Sequence, residues 1–323
     1  MRPLSFPLPR FGMGCAGIGN LYRVVSDAEA EETVTAALEA GIAYFDTAPH
    51  YGFGLSERRL GAALGDAKVT ISTKVGRLLA PVADPARERH GFVDADPFEP
   101  VFDYSRDAVL RSHEESLRRL RRTSVDILLA HDLGTLTHGE HAGHHMRAFL
   151  DGGYQAMAEL RDAGAVGAIG IGVNETQVAE YLLERVDLDL VLLAGRYTLL
   201  DRQAAERFLP LAEAKGVGVI VGGPYNSGIL ATCDRSNGRF DYEAAPAEIL
   251  ARADALAAMC ARHDVDLPAA ALQFPLRHPA VAGVIPGLVG AAQVADTIVR
   301  LNAPIPDALW HVLDNAAAQT CPA

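Results

Sequence analysis

The chain has 323 residues, of which 49% are hydrophobic and 22% are charged, a composition typical of a compact enzyme rather than a disordered protein. Its formal net charge of −12 argues against a nucleic-acid surface, because phosphate binding requires a basic patch. No stretch approaches the roughly 18 apolar residues that would span a bilayer, so no membrane segment is expected.

The cysteines give no sign of a zinc site or a disulfide framework. They are far apart in the sequence and form no C-x-x-C pair: Cys15, Cys233, Cys260 and Cys321. The first residues lack the apolar core of a signal peptide. We therefore expect a protein of the reducing cytoplasm, without a nucleic-acid or membrane partner, that acts as a monomer or a small homo-oligomer.

Helices and strands are predicted to alternate from the start of the chain. A short apolar run over 10–14 is followed by a capping box at Ser26, which begins a helix that Gly41 ends. Another apolar run, 43–46, and a shorter helix over about 56–64 come next. Alternation of this kind predicts a parallel sheet.

Eight apolar runs have the length expected of strands. Nearly all are continuous rather than alternating, as in strands that are covered on both faces. They predict an α/β fold, a closed (β/α)8 TIM barrel that forms one domain over residues 1–323, rather than an open sheet. Two longer spans, 75–104 and 225–245, are expected to be lids or binding loops at the carboxyl-terminal face of the barrel. The eight runs are 10–14, 43–46, 69–74, 127–131, 168–173, 188–193, 217–221 and 281–285.

A dinucleotide-binding βαβ unit is the alternative fold for the start of the chain. The G-x-G-x-x-G pattern at 12–17 matches its fingerprint, which should open a helix directly and precede an acid at the end of the next strand. Here residues 19–22 continue as a loop, and Glu31 and Glu32 fall inside the helix that begins at Ser26. The pattern therefore favours a glycine-rich first barrel loop.

Three apolar runs end in an ionisable residue: Asp46, Lys74 and His131. At the same end of parallel strands these side chains would converge on the face where such barrels carry their active sites, with Tyr51 within loop reach. A buried lysine beside a tyrosine hydroxyl favours the phenolate, which can exchange a proton at neutral pH, and a paired aspartate keeps the lysine charged. His131 would orient a substrate oxygen. The alternative is an Asp46–Lys74 ion pair that only stabilises the barrel.

The motifs around these residues resemble those of the aldo-keto reductase family. FDTAPHYG at 45–52, STK at 72–74 and HD at 131–132 follow the order and spacing of that family, and the resemblance extends from about residue 11 to about residue 300. It implies a nicotinamide-dependent oxidoreductase. In this family Tyr51 would donate or accept the proton, supported by the other three residues.

The resemblance also implies a class of substrate. Segments 131–134, 172–175 and 224–230 are similar to members that oxidise aldoses of the L-fucose, L-galactose or D-arabinose type, and to members that oxidise pyridoxal. Both reactions convert a cyclic hemiacetal to a lactone, with Tyr51 as the general base. An NADPH-dependent carbonyl reductase and a redox-sensing subunit without turnover are the alternatives. The implied substrate-binding residues are Tyr51, Phe53, His131 and Asp132.

A cofactor site at several barrel loops is implied as well. Asn174 matches the asparagine that holds the nicotinamide carboxamide, whereas Val173, Ala194 and Gly222 stand where the family commonly has serine, glutamine and a stacking aromatic residue. No Lys or Arg lies within 288–299, and a 2′-phosphate needs such a cation, so NAD is favoured over NADP. The implied cofactor-binding residues are Gly14, Asp46, Asn174, Tyr197, Pro224, Tyr225, Asn226, Ser227, Gly228, Leu230, Ile285, Pro286, Gly287, Gln293 and Thr297.

Other polar and aromatic residues have simpler interpretations. The four histidines within 138–145 are irregularly spaced and interrupted by glycines, which favours a loop over a metal site. Arg77 and His90 are expected to be solvated loop residues, with binding of sugar hydroxyls as the alternative. Trp310 is expected in a C-terminal helix packed on the barrel, and lining of the substrate pocket is the alternative.

Overall fold

The computed structural model describes residues 4–232, 235, 238–241 and 243–320. Within them, eight parallel strands form one sheet whose spatial order is the order of the chain. Bridges from Phe11 to Val284 and from Gly14 to Gly287 join the first strand to the last. The sheet is therefore closed, and the predicted (β/α)8 barrel is confirmed.

The predicted strands are present with small differences at their ends. The run over 10–14 forms a ladder only at its last two residues, since Phe11 makes a single isolated bridge. The barrel strands are β1 (Met13–Gly14), β2 (Tyr44–Asp46), β3 (Thr70–Val75), β4 (Val125–His131), β5 (Val166–Val173), β6 (Leu190–Ala194), β7 (Gly218–Gly222) and β8 (Val281–Ile285).

Helices cover the outside of the barrel between these strands. They are α1 (Asp27–Glu39), α2 (Leu55–Leu64), α3 (Arg106–Leu120), α4 (Thr135–His138), α5 (Ala142–Ala148), α6 (Tyr154–Asp162), α7 (Thr176–Leu183), α8 (Phe208–Lys215), α9 (Ala247–Ala261), α10 (Leu267–Gln273), α11 (Ala291–Asn302) and α12 (Asp307–Thr320). None of the helices that the described residues form is long and apolar enough to cross a membrane.

The start of α1 follows the predicted capping chemistry. Ser26 has extended backbone angles, and its hydroxyl oxygen accepts a hydrogen bond from the Glu29 amide at 3.1 Å. Ala30, Val34 and Ala37 are buried on one face, and Gly41 adopts a φ of 81° just beyond the helix. Local sequence signals alone therefore position the helix that leads into β2.

The core has two layers, one inside the barrel and one between the strands and the helices. The inner layer is a small apolar cluster, and Leu4, Phe6 and Leu8 pack against it from the N-terminal segment. Ser5 and Pro7 bond to residues at the starts of β5 and β3, so this segment covers the amino-terminal end of the barrel. The inner residues are Tyr44, Ile127, Leu129, Ala168, Leu190, Leu192, Ile220 and Ile285.

The two long loops contain hairpins. Arg77–Pro81 pairs with Phe98–Phe102, and Glu88–Arg89 pairs with Phe92–Val93 inside the same loop after β3. In the loop after β7, Arg239–Phe240 pairs with Glu243–Ala244, while 233–234, 236–237 and 242, which include Cys233, lie outside the described residues, as does Cys321.

The glycine-rich pattern at 12–17 belongs to a barrel loop. It spans β1 and opens only a single turn of 3-10 helix, Gly17–Gly19. The dinucleotide-binding βαβ interpretation is therefore wrong for this segment.

Candidate active site

Asp46, Lys74 and His131 lie together at the carboxyl ends of three neighbouring strands. Asp46 ends β2, Lys74 is the penultimate residue of β3, and His131 ends β4. Because β3 pairs in parallel with both β2 and β4, all three side chains belong to one face of the barrel. The predicted convergence of these residues is confirmed.

Lys74 connects the carboxylate to the tyrosine. Its Nζ lies 2.8 Å and 3.0 Å from the two Asp46 carboxylate oxygens, 2.9 Å from the Thr47 carbonyl oxygen and 3.1 Å from the Tyr51 hydroxyl. Both charged side chains are almost completely buried. The Ser72 hydroxyl donates a further bond of 2.7 Å to Asp46. The ammonium group therefore has all three of its donors engaged, one of them on Tyr51.

The buried Tyr51 phenol has a raised pKa. Burial raises it well above its ordinary value, and the charges of Asp46 and Asp132 act in the same direction while Arg77 opposes them. Asp46 already neutralises the charge of Lys74, so the lysine stabilises a phenolate mainly as a hydrogen-bond donor. Proton exchange by Tyr51 at neutral pH with the help of Lys74 stays a prediction.

His131 is a neutral imidazole beside Tyr51. Burial lowers its pKa well below the ordinary value, and the charges of Arg77 and Lys74 lower it further. Its ring is edge-on to the Tyr51 ring, with 5.9 Å between centroids. Its Nδ1 is buried and has no hydrogen-bond partner among the described residues. A neutral imidazole with a free nitrogen is suited to bind a substrate oxygen.

Asp132 is held in place by the chain around it. Its backbone has a φ of 41°, and its carboxylate accepts a bond from Arg77, which is buried rather than solvated as the sequence predicted. The Tyr104 hydroxyl lies 2.5 Å from the carbonyl oxygen of His131 and 2.7 Å from that of Asp132. His138 Nε2 donates to the same Asp132 carbonyl at 2.8 Å. Tyr104 and His138 therefore fix the turn that follows β4.

The four histidines within 138–145 lie in short helical segments and not in the predicted loop, since His138 ends α4, His141 ends a turn of 3-10 helix, and His144 and His145 belong to α5. The rings of His138 and His145 lie 4.2 Å apart, and both contact Phe102. Among the described residues, no group of three or more His, Cys, Asp or Glu side chains is arranged to hold a metal ion.

A wall of aromatic rings stands next to Tyr51 and His131. His50 lies 6.0 Å from the His131 ring and 5.4 Å from Phe92, and Phe92 lies 6.3 Å from Tyr51. Phe53, which the resemblance assigned to the substrate, is buried behind them against His50 and Phe92. His90 also contacts His50, at 5.7 Å, and is bonded to Glu99.

Sequence reasoning missed His50, Phe92 and Tyr104. Phe92 and Tyr104 lie in or beyond a loop whose hairpins leave no periodic signal. His50 had one usable signal, because it immediately precedes Tyr51 in the motif at 45–52.

The candidate cofactor residues at the seam of the barrel lie close together. The Gly14 amide donates to the Pro286 carbonyl at 2.8 Å, and Gly14 forms a bridge with Gly287 beyond Ile285. Asn174 follows β5, and its carbonyl accepts a bond of 2.8 Å from Arg196.

In the turn after β7, several assigned side chains are already engaged. Asn226 donates to the Gly195 carbonyl at 3.1 Å and accepts from Thr198, joining the loops after β6 and β7. Tyr225 is buried, which raises its pKa to about 12. Pro224 and Leu230 are also buried, whereas Ser227 and Gly228 are partly exposed.

Three further assigned residues lie in the helical layer. The Tyr197 ring packs against Phe274 and His278, 5.0 Å and 5.9 Å away, just before β8 begins. In α11 the buried Thr297 donates to the Gln293 carbonyl at 2.6 Å, and the Gln293 side chain accepts from the Val289 amide. A role for these three at the cofactor stays a prediction. Trp310, in α12, lies under the Arg277 guanidinium at 4.6 Å, as expected of a packing residue.

The chain matches the aldo/keto reductase family over residues 10–318. The protein belongs to the aldo-keto reductase family. It is 42% identical to pyridoxal 4-dehydrogenase of Microbacterium luteolum over 94% of this chain and 92% of that protein. It is 38% identical to D-threo-aldose 1-dehydrogenase of a Pseudomonas species over 96% of this chain and 94% of that protein.

Solved structures of this family have the same fold. An aldo-keto reductase of Bacillus halodurans in its holo form is 25% identical and superposes with a TM-score of 0.73, over 95% of this chain and 91% of that one. The glycerol dehydrogenase of Gluconobacter oxydans is 22% identical with a TM-score of 0.77, over 99% and 94%. This aldo-keto reductase is therefore an oxidoreductase of CH–OH groups that uses a nicotinamide cofactor, NAD or NADP.

The mouth of the barrel fits such a cofactor. At the seam of the barrel Gly14 ends β1 and is partly exposed, and Gly287 follows β8 and is exposed, so an extended ligand can approach the backbone there without meeting a side chain of either residue. The twelve residues of α11 begin just beyond Gly287, and a helix start offers free amides to a diphosphate.

Proposed function

We propose that this aldo-keto reductase oxidises the anomeric CH–OH of an aldose of the L-fucose, L-galactose or D-arabinose type to the lactone. The observation that carries the proposal is the contact of the Tyr51 hydroxyl with a lysine that is itself paired with Asp46, beside the neutral His131. The 38% identity to a D-threo-aldose 1-dehydrogenase supports the substrate class.

Each residue has a distinct task in this reaction. Tyr51 acts as a phenolate, whose oxygen accepts a hydrogen bond from Lys74, and it becomes a neutral phenol when it takes the proton of the anomeric hydroxyl. Asp46 keeps Lys74 charged and in position. His131, a neutral imidazole, binds the substrate oxygen and so aligns the carbon with Tyr51. The bound nicotinamide supplies the two-electron acceptor for the hydrogen that leaves this carbon.

We propose that NAD is preferred over NADP. Residues 288–299, which run from the loop after β8 into α11, contain no Lys or Arg, and Asp296 adds a negative charge there. A 2′-phosphate would therefore lack the bidentate or ammonium partner that it requires. The backbone of Ser227 and Gly228, Asn174 and the seam glycines are the groups that would hold either form.

A second candidate is oxidation of pyridoxal, which as a hemiacetal is a flat aromatic substrate. The wall of His50, Phe92 and His90 beside Tyr51 favours it, because aromatic rings pack edge-to-face on such a ligand. The 42% identity to a pyridoxal 4-dehydrogenase is consistent with this candidate.

The test is the initial rate of NADH and NADPH formation with L-fucose, L-galactose, D-arabinose, D-glucose and pyridoxal at mildly alkaline pH. We expect oxidation of the first three sugars with NAD, and a loss of about 100- to 10,000-fold in kcat/KM for the Tyr51→Phe variant. Activity with pyridoxal alone would replace the sugar by the second candidate. No oxidation, together with NADPH-dependent reduction of aldehydes, would refute the proposed direction and cofactor.

We also propose that residues 1–323 act as one barrel domain, in the cytoplasm and as a monomer or small homo-oligomer. Size-exclusion chromatography with light scattering and limited proteolysis test the oligomeric state and the domain assignment.

A further inference from the structure

His50 belongs to a closed ring of four aromatic side chains around the reacting group. His131 contacts both Tyr51 and His50, at 5.9 Å and 6.0 Å, and Phe92 contacts the same two residues at 6.3 Å and 5.4 Å. The cycle therefore runs from His131 to His50, Phe92, Tyr51 and back. A substrate oxygen bound by Tyr51 and His131 would lie between two neighbouring members of this cycle. His50 is the next member after His131.

The imidazole of His50 is buried without being satisfied by the protein. Its Nδ1 is inaccessible and has no hydrogen-bond partner among the described residues, although the ring touches Phe53, His90, Phe92 and His131. A buried polar atom of this kind destabilises the protein unless water or a ligand bonds to it. Among the described residues, the Nδ1 of His131 is buried without a partner in the same way, and the His131 ring contacts both His50 and Tyr51.

The charge state of His50 limits what this nitrogen can bind. Burial lowers the pKa of His50 well below its ordinary value, and the charges of Arg77, His90 and Lys74 lower it further. A neutral imidazole has one donor and one acceptor nitrogen, so it offers no charge to an anion. A hydroxyl group can donate or accept, and it therefore pairs with either tautomer.

We propose that His50 is a specificity-determining residue that binds the hydroxyl group on the carbon next to the reacting carbon of the substrate. This inference rests on the proposed function, because it takes the reacting oxygen to lie between Tyr51 and His131. Two oxygens on adjacent carbons of a sugar can then bond to His131 and His50, whose ring centroids lie 6.0 Å apart in an edge-on arrangement. An analogue without that hydroxyl would leave the buried His50 nitrogen unpaired, and the enzyme would therefore discriminate against it.

The experiment compares D-arabinose with 2-deoxy-D-ribose, which differ only in the hydroxyl on carbon 2. The wild-type enzyme should have a kcat/KM at least about tenfold higher for D-arabinose, the size of one hydrogen bond. His50→Phe keeps a ring but removes both nitrogens, so the ratio should fall close to one, through a higher KM for D-arabinose. His50→Asn retains a donor and an acceptor near the Nδ1 position and should restore part of the ratio.

Two controls make the result specific. His311→Phe makes the same change on the exposed side of α12 and should leave the ratio unchanged. The pH profile of His50→Phe should follow that of the wild type, because Tyr51 remains the base, and circular dichroism should show an unchanged fold.

The outcomes separate this inference from the proposed function. A wild-type enzyme that is active on D-arabinose, with the same ratio in His50→Phe, would refute the role of His50 alone. A wild-type enzyme that oxidises neither sugar would refute the proposed function and, with it, the hydroxyl site.

Discussion

Tyr51 has a hydroxyl that the protein holds in its protonated form at neutral pH. Its pKa is raised by burial and by Asp46 and Asp132, and Lys74 adds a hydrogen bond but little net charge. The tyrosine can therefore donate its proton directly in a reduction, whereas it must first lose that proton to act in an oxidation.

This asymmetry predicts how the rate of oxidation depends on pH. Because the fraction of phenolate grows as the pH rises toward the raised pKa of Tyr51, kcat/KM for sugar oxidation should increase steadily between pH 7 and 9, by up to about tenfold per unit. The measurement is a pH profile of NADH formation at saturating NAD. A plateau already reached near pH 7 would mean that Lys74 alone creates the phenolate.

The hydroxyl of Tyr104 offers a second prediction. Tyr104→Phe removes the bond to the carbonyls of His131 and Asp132, where Asp132 has a strained φ of 41°, so His131 should lose its fixed orientation. We expect kcat to fall by roughly tenfold and the free energy of unfolding by about 1–2 kcal/mol. Steady-state kinetics and urea denaturation measure the two effects.

The matched control for this variant is Tyr154→Phe. Tyr154 also bonds the backbone through its hydroxyl, at the Asp187 amide, but it lies in α6 on the outside of the barrel. It should lose stability and keep kcat. Equal losses of kcat in both variants would contradict a specific role of Tyr104.

The catalytic residues were easier to predict than the pocket around them. Asp46, Lys74 and His131 each end an apolar run, and strand geometry alone brings such ends together. His50 and Phe92 are in contact because the loop after β3 forms two hairpins, one of which contains Phe92. No periodic pattern in the sequence predicts these hairpins.

At the level of elements, α2 and α3 approach each other at a glycine. A Cβ built on Gly61 would lie 2.3 Å from the Leu120 carbonyl oxygen at the end of α3, which is closer than atoms can pack. The sequence predicted α2, over about 56–64, but not its contact with α3, because the sequence around a helical glycine does not show which element packs against it.

Gly61→Ala should therefore destabilise the protein. The helices must separate to admit the methyl group, which we expect to lower the free energy of unfolding by about 1–3 kcal/mol. In α5, a Cβ on Gly143 would lie 3.7 Å from the tip of Arg147, so Gly143→Ala should be neutral or stabilising by up to about 1 kcal/mol. Urea denaturation of both variants measures the contrast, and equal effects would show that the helices are free to move apart.

For the whole molecule, the buried histidines link stability to pH. Burial lowers the pKa of His138 to about 4, and His50 and His131 are lowered well below their ordinary values. In the unfolded chain each returns to about 6.5. Below that pH these histidines bind protons in the unfolded chain but not in the folded protein, so acidification favours unfolding. Above that pH they are neutral in both states, and their contribution to the stability of the folded protein is fully present.

The protein should therefore lose stability between pH 7.5 and 5.5, by about 1 kcal/mol for each of these three histidines. The net charge acts in the opposite direction, because acidification reduces the self-repulsion of a chain with a formal charge of −12. A fall in the urea midpoint over this interval would therefore mean that the histidines dominate the pH dependence of stability. The control is His311→Gln, which removes an exposed histidine and should show the same fall as the wild type. A urea midpoint that stays constant or rises would mean that these histidines bind protons in the folded protein as well. His131 would then be protonated at pH 5.5, although the proposed substrate binding requires its neutral form.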